Sequence, residues 1–431
     1  MPSRLLAPSL LAALVLGPAV AHAQQPLTEF LASADTEALD LREARATLRQ
    51  TRAQVDAARA RLLPAVQGQA TYTRNDPVVE VTIPTGMVDA MGNPVTRQAS
   101  ITPADQFAAT ATLNVPLLDL SAWAGFFQAE AAADAVDATV DTARRGVEIA
   151  VVQRWHQLVA QRALIGAAQR NLEVAERGHS VVAARFEVGV ASQLELSRAE
   201  AEVARARQAV AEAELAATLA ARGLQDLTGL EPSPAVVALE DDLHAEQPLA
   251  TFTANIDDLP AVRAARQQQR AASIARDGAW FALLPTLGAT AVARWSNASG
   301  FGRQDSYYLG LSATWAFDFS RPAQVEATSA ALEGVEVRED RALQQARTAV
   351  FEAWHRVDAS RASAAAADSV LAASRRAAED AAARNDSGVA TQLERIQAER
   401  DLFQAEVGRI QAIANLRVAR EVLRIQSGLE R

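Results

Sequence analysis

Arg185-Phe186-Glu187-Val188-Gly189-Val190-Ala191-Ser192-Gln193-Leu194-Glu195 is a stretch that occurs twice in outline. Its counterpart, Arg384-Asn385-Asp386-Ser387-Gly388-Val389-Ala390-Thr391-Gln392-Leu393-Glu394, lies 199 positions further on. Each copy interrupts a long Ala-rich run of helical character with one glycine set among small and β-branched residues. A helical pattern that stops at a glycine and resumes reads as the turn of a long helical hairpin.

The same offset holds well outside the turn. Trp155-His156 recurs as Trp354-His355, Asp119-Leu120-Ser121 as Asp318-Phe319-Ser320, and Leu227-Thr228-Gly229-Leu230-Glu231 is echoed by Gln426-Ser427-Gly428-Leu429-Glu430. Leu62-Leu63-Pro64 returns as Leu283-Leu284-Pro285, but 221 positions on, so the first copy holds 22 extra residues between Pro64 and Asp119. A repeat of this length sets the architecture before any local reading does. The expected division is a leader at 1–23, a first repeat at 24–230, an irregular connector at 231–257 rich in Pro232, Pro234 and Pro248, and a second repeat at 258–431.

Composition narrows the function. Hydrophobic residues make up 49% of the chain but aromatics only 5%, which suits long, closely packed helices better than a bulky globular core. The net charge of −10 argues against a nucleic-acid partner. All 42 basic residues are Arg and there is no Cys. A P-loop or Schiff-base lysine, a thiol nucleophile, a disulfide framework and a Cys metal site are thereby excluded. Residues 1–23 carry Arg4, an apolar run from Leu5 to Val20, and Ala21-His22-Ala23, the pattern of a secretory signal peptide with its cleavage site. Elsewhere no apolar run reaches the ~18–20 residues that a membrane helix needs. A membrane-spanning mature chain would therefore have to use strands.

Period-two alternation marks four such strands. Val66 to Thr73 alternates small or apolar residues with polar ones, and Phe107, Ala109, Ala111, Leu113 and Val115 alternate with Thr110, Thr112 and Asn114. Leu287, Ala289, Ala291, Ala293 and Trp295 lie opposite Thr286 to Arg294, and Tyr307, Leu309, Leu311, Ala313, Trp315 and Phe317 opposite Ser306 to Asp318. About ten residues each is the length a tilted strand needs to cross a bilayer. Phe107, Trp295, Tyr307 and Trp315 close the apolar faces as membrane-interface aromatics would. Taken alone, the strands fit a soluble β-subdomain equally well. Residues 75–103 read as a long Pro- and Gly-rich loop in the first pair, and 296–305 as a short one in the second.

Helices are expected at 39–63, 119–187 and 190–228, then at 258–283, 321–386 and 389–428. In each repeat a short helix and the return arm together match the long arm in length. No His-x-x-x-His spacing, Gly-rich phosphate loop or Gly-x-Ser-x-Gly elbow appears, and the acidic residues follow helical surface spacing. Neither an enzyme nor a cofactor is expected.

The doubled order of helix, strand pair and long hairpin, with Leu-Leu-Pro before the strands, Val188-Gly189-Val190 and Ser387-Gly388-Val389 at the turns and Leu-Thr-Gly-Leu closing the first hairpin, resembles the TolC-type outer-membrane efflux protein family. That resemblance implies an α + β membrane protein: a homotrimer in which each chain gives four strands to one twelve-stranded barrel and its hairpins to a periplasmic coiled-coil tunnel. It further implies a passive duct in the cell outer membrane for efflux or type I secretion, opened by a periplasmic adaptor (membrane fusion protein) and driven by an inner-membrane pump. Val188, Gly189, Val190, Ser387, Gly388 and Val389 would dock the adaptor. The family narrows its tunnel with acidic residues six and nine positions past the second glycine, here Glu394 and Gln397; six past the first is Glu195. A tyrosine and an arginine that latch its best-known member shut correspond to Asn385 and Ala390. A periplasmic coiled-coil adaptor or scaffold without a pore is the other reading.

Overall fold

The computed structural model describes residues 25–233, 239–298 and 302–429, so the expected leader and Glu430 lie outside the described residues. The element order is α1 (Leu27–Glu37), α2 (Leu39–Ala60), β1 (Ala65–Arg74), β2 (Val79–Val88), β3 (Pro94–Thr102), β4 (Asp105–Leu118), α3 (Leu120–Glu187) and α4 (Gln193–Thr228). It continues with α5 (Leu249–Thr253), α6 (Pro260–Phe281), β5 (Thr286–Ser296), β6 (Asp305–Thr314), α7 (Ser320–Asp386) and α8 (Gln392–Ser427). All six expected helices form within a few residues of the expected bounds. The added α1 is short; its Ser33 hydroxyl donates to the Thr228 carbonyl at 2.7 Å.

The chain folds as two compact units. A sheet unit contains Leu39–Gly146, Gln247–Glu352 and Arg424–Arg431; a hairpin unit contains the residues up to Ala38, Val147–Glu246 and Ala353–Leu423.

Within the sheet unit, four antiparallel strands lie in the order β1-β4-β5-β6. Helices are joined by ion pairs in the matching order: Arg52 of α2 to Asp137 of α3 at 3.0 Å, Arg263 of α6 to Asp141 of α3 at 3.0 Å, and Arg266 of α6 to Glu339 of α7 at 3.3 Å. Each strand thus continues into the helix that lies in the same place in the row. Small side chains permit close approach: a Cβ on Gly278 of α6 would sit 3.0 Å from that of Ala124 on α3.

Two expectations need correction here. Residues 75–103 are not a structureless loop, because β2 and β3 pair antiparallel as a separate two-stranded sheet. The last strand stops at Thr314, short of Trp315 and Phe317. Its partner β5 begins at Thr286, directly after Pro285, which has no N–H for the ladder. The indole of Trp315 instead donates to the Leu283 carbonyl at 2.9 Å.

In the hairpin unit, the core consists mainly of Ala and Val. Val151, Val152 and Ala167 are fully buried, and Leu172 packs on Ala175, Val203 and Ala206 between α3 and α4. Charged residues bridge the helices on their outer edges: Arg207 to Glu176 at 2.9 Å, Arg409 to Asp368 at 2.5 Å, and Arg400 of α8 to Glu202 of α4 with both carboxylate oxygens within 3.0 Å of Nε.

Candidate functional site

Ladder register decides what the sheet can do. Directly opposed residues of an antiparallel pair lie on one face, and the pairs Ala70↔Ala109, Ala109↔Trp295, Ala111↔Ala293, Ala293↔Tyr307, Ala291↔Leu309 and Ala289↔Leu311 run from one edge of the sheet to the other. Over most of its length one face is therefore Ala, Leu, Val and aromatic. The other carries Gln67, Gln69, Thr110, Thr112, Asn114, Thr290, Ser306 and Ser312, and Thr290 donates to Asn114 across it at 3.1 Å. The apolar side is open: Leu309 and Leu311 are 79% and 82% exposed.

Phe107, Trp295 and Tyr307 gather at one end of that face, each two residues further along than its neighbour. A stagger of this kind is what tilted strands need if their ends are to lie level. Tyr72 joins them, its ring 5.0 Å from Phe107. Trp315 lies at the opposite end, where it stacks 6.3 Å from Phe317. Among the described residues, no helix is long and apolar enough to cross a membrane.

The two tips of the hairpin unit share one backbone. Gly189 has φ +73° and Gly388 φ +75°, the left-handed conformation that side chains with a Cβ avoid. Val190 N–H donates to the Arg185 carbonyl at 2.9 Å, and Val389 N–H to that of Arg384 at 2.8 Å. Val188, Val190 and Val389 are each at least 70% exposed, leaving small apolar knobs at the ends.

Beyond each glycine the returning helix is capped reciprocally. Ser192 N–H donates to Glu195 at 2.7 Å while Glu195 N–H donates back to the Ser192 hydroxyl at 3.3 Å; Thr391 and Glu394 repeat this at 2.7 and 3.2 Å. These bonds hold both carboxyls below the usual glutamate range, chiefly through the backbone N–H of Ser192 and of Thr391. Gln397 lies one turn further along, exposed on α8. Asn385 and Ala390, which stand where the resembled family's best-known member has its latching tyrosine and arginine, are bonded to each other: the Asn385 amide donates to the Ala390 carbonyl at 3.1 Å. The Ser-x-x-Glu and Thr-x-x-Glu spacing is a capping signal in its own right, one that helical and strand periodicity alone does not bring out.

A polar knot between the connector and α8 was also missed. Arg420, only 8% exposed, reaches Asp241 at 3.2 Å, Asp242 at 3.5 Å and the Nδ1 of His244 at 2.7 Å. The His244 ring beside it holds the Asp242 carboxyl at about 2. Asp241, Asp242 and His244 have metal-like spacing, but the Arg420 guanidinium already supplies the positive charge at their centre. Nearby, His156 is 4% exposed, and burial, with the Arg417 charge second, lowers its pKa to about 4.

Comparison with known proteins fits this geometry. A family model described as outer membrane efflux protein matches residues 31–230 and 256–428. Among solved structures, CusC superposes with a TM-score of 0.79 at 16% identity, over 94% of this chain and 92% of the other; its crystal structures are described in terms of folding and transmembrane channel formation. The Campylobacter jejuni CmeC outer membrane channel gives 0.76 at 17% identity, over 93% and 85%. The open state of the Neisseria gonorrhoeae MtrE outer membrane channel gives 0.74 at 19%, over 93% and 88%. At such identities the likeness is one of fold. The search of curated proteins found no match.

Proposed function

The chain belongs to the outer membrane efflux protein family, and from that premise we propose that three copies pool their four-stranded sheets into one twelve-stranded barrel that serves as a passive exit duct. The protein is an outer-membrane transport protein and not an enzyme. What carries the proposal is the sheet itself. It has an apolar face, a polar face and two edge strands, β1 and β6, whose outer sides have no partner strand among the described residues. Lipid does not tolerate unpaired edge groups, so four strands of this kind need strands from other copies. Closing three sheets edge to edge turns the apolar faces to lipid and the polar faces to a water-filled lumen.

In this reading residues 24–230 and 258–431 are two copies of one unit joined by the connector 231–257, and residues 1–23 are removed on export. The hairpins line a periplasmic tunnel, and Val188, Gly189, Val190, Ser387, Gly388 and Val389 take the tips of a periplasmic adaptor. Docking opens the duct, and an inner-membrane pump supplies the energy. Glu394, with Gln397 and Glu195 behind it, narrows the closed end. Three like charges brought together raise one another's apparent pKa, opposing the capping bonds, and favour cations in the pore.

Counting the subunits tests the proposal. Light scattering on the protein extracted from outer-membrane fractions in mild detergent should give a mass of three chains once bound detergent is subtracted. A soluble periplasmic monomer would overturn it in favour of a coiled-coil scaffold.

A further inference from the structure

On the side of the sheet away from the helices, the apolar face does not end with its aromatics. It passes directly into charge. Arg74 is the ladder partner of Asp105, two rungs beyond Tyr72 and Phe107 and hence on the same face, and Asp305 opposes Trp295 on that face. Arg74 bonds Asp105 at 3.2 Å, and Arg303 bonds Asp305 at 3.2 and 3.4 Å. From Ala and Leu through Tyr72, Phe107, Trp295 and Tyr307 to Arg74 and Arg303, the order matches that of a bilayer: hydrocarbon, interface, headgroup.

We propose that Arg74 and Arg303 bind the phosphate groups of lipids in the outer leaflet of the outer membrane. This rests on the reading that the sheet spans that membrane with its helices on the periplasmic side. Both arginine side chains are largely exposed, at 74% and 84%, and a guanidinium carries five N–H donors. Arg74 spends one of them on Asp105 and Arg303 two on Asp305, so most remain for phosphate oxygens, which the guanidinium fork matches in shape. Exposed ion pairs of this kind are weak and give way readily to a second acceptor. A long arginine stem can cover apolar surface while its head reaches the headgroup layer. By contrast Arg294, opposed to Ser306 on the polar face, belongs to the lumen and takes no part.

The aspartates provide a sign test. If the pairs serve only the fold, removing either partner loosens the loops alike. If the arginines bind lipid phosphate, the aspartates compete with it, and their removal strengthens binding.

The probe is bisphosphorylated lipid A titrated onto the full-length protein in detergent, with retention read by native mass spectrometry and the dephosphorylated lipid and inorganic phosphate as parallel arms. Arg74→Gln and Arg303→Gln should each weaken retention about five-fold, the worth of one arginine at an anionic membrane surface. Asp105→Asn with Asp305→Asn should strengthen it, and Arg294→Gln should leave it unchanged. Equal retention of the dephosphorylated lipid, equal displacement by inorganic phosphate, or equal losses in the arginine and aspartate variants would each overturn the proposal. Flotation of every variant with lipid vesicles keeps the two readings apart. A protein that floats but ignores lipid phosphate refutes only this inference, whereas one that never floats refutes the channel.

Discussion

Trp155-His156 and Trp354-His355 are 199 positions apart, with nearly the same ring geometry: centroids 4.8 and 4.9 Å apart and planes at 88° and 89°. Yet His156 is buried and His355 is exposed. The hairpin tips show the same division. The backbone bonds donated by the glycine and by the two residues after it recur in both turns, but the position after the arginine is an exposed Phe186 in one and a buried, bonded Asn385 in the other. Matching positions share one backbone conformation but have different neighbours. Local geometry follows the repeated sequence; burial and charge follow what the rest of the chain lays against it.

The largest expected asymmetry lies in the histidines. His156 titrates at about 4 in the folded protein against 6.5 in a free chain, so on acidification the unfolded chain takes up its proton first. Stability from this group is intact above pH 6.5 and falls by up to about 3 kcal/mol as the pH drops toward 4. Melting followed over that range should show a slope that His156→Gln flattens. A slope unchanged by that substitution would break the comparison.

The two turns should respond alike to substitution. Nothing lies within 4 Å of a Cβ built on Gly189 or Gly388, so alanine at either meets only backbone strain, about 1–2 kcal/mol. The two variants should lower the denaturation midpoint equally. Ser192→Ala and Thr391→Ala, which remove matching caps, should cost about 1 kcal/mol each. Unequal losses in either pair would show that the shared backbone is not held by shared causes. The smallest effect is reserved for the second tip: Asn385→Ala removes one cross-turn bond and should speed backbone amide exchange at 387–390 several-fold, about 1 kcal/mol. Phe186→Ala should leave the first turn's exchange unchanged.

The same division explains what the sequence revealed. Long helical periodicity, a lone glycine and a strand period of two are local signals, and they placed the six expected helices and the four-stranded sheet. Hidden features depend on partners distant in sequence, or on turn chemistry that resembles a loop. Asp89 folds the β2–β3 turn by accepting N–H bonds from Met91 and Asn93 at 2.8 and 2.9 Å. In the sequence Pro84, Gly86, Gly92 and Pro94 spoke for irregular chain. Burial of His156, the Arg420 knot and the bond from Asn385 to Ala390 have no local signature. Glu195 and Glu394 stand out in the sequence for their distance from a glycine, and the structure gives each a task as a helix cap.

The central claim, a water-filled duct made by pooling sheets whose faces differ in polarity, is tested most directly by single-channel recording in a planar bilayer. The wild-type protein should give small, cation-preferring currents, and Glu394→Gln should lower the preference while the channel remains. An absence of conductance, even after Gly189 and Gly388 are replaced to loosen the tips, would contradict the account.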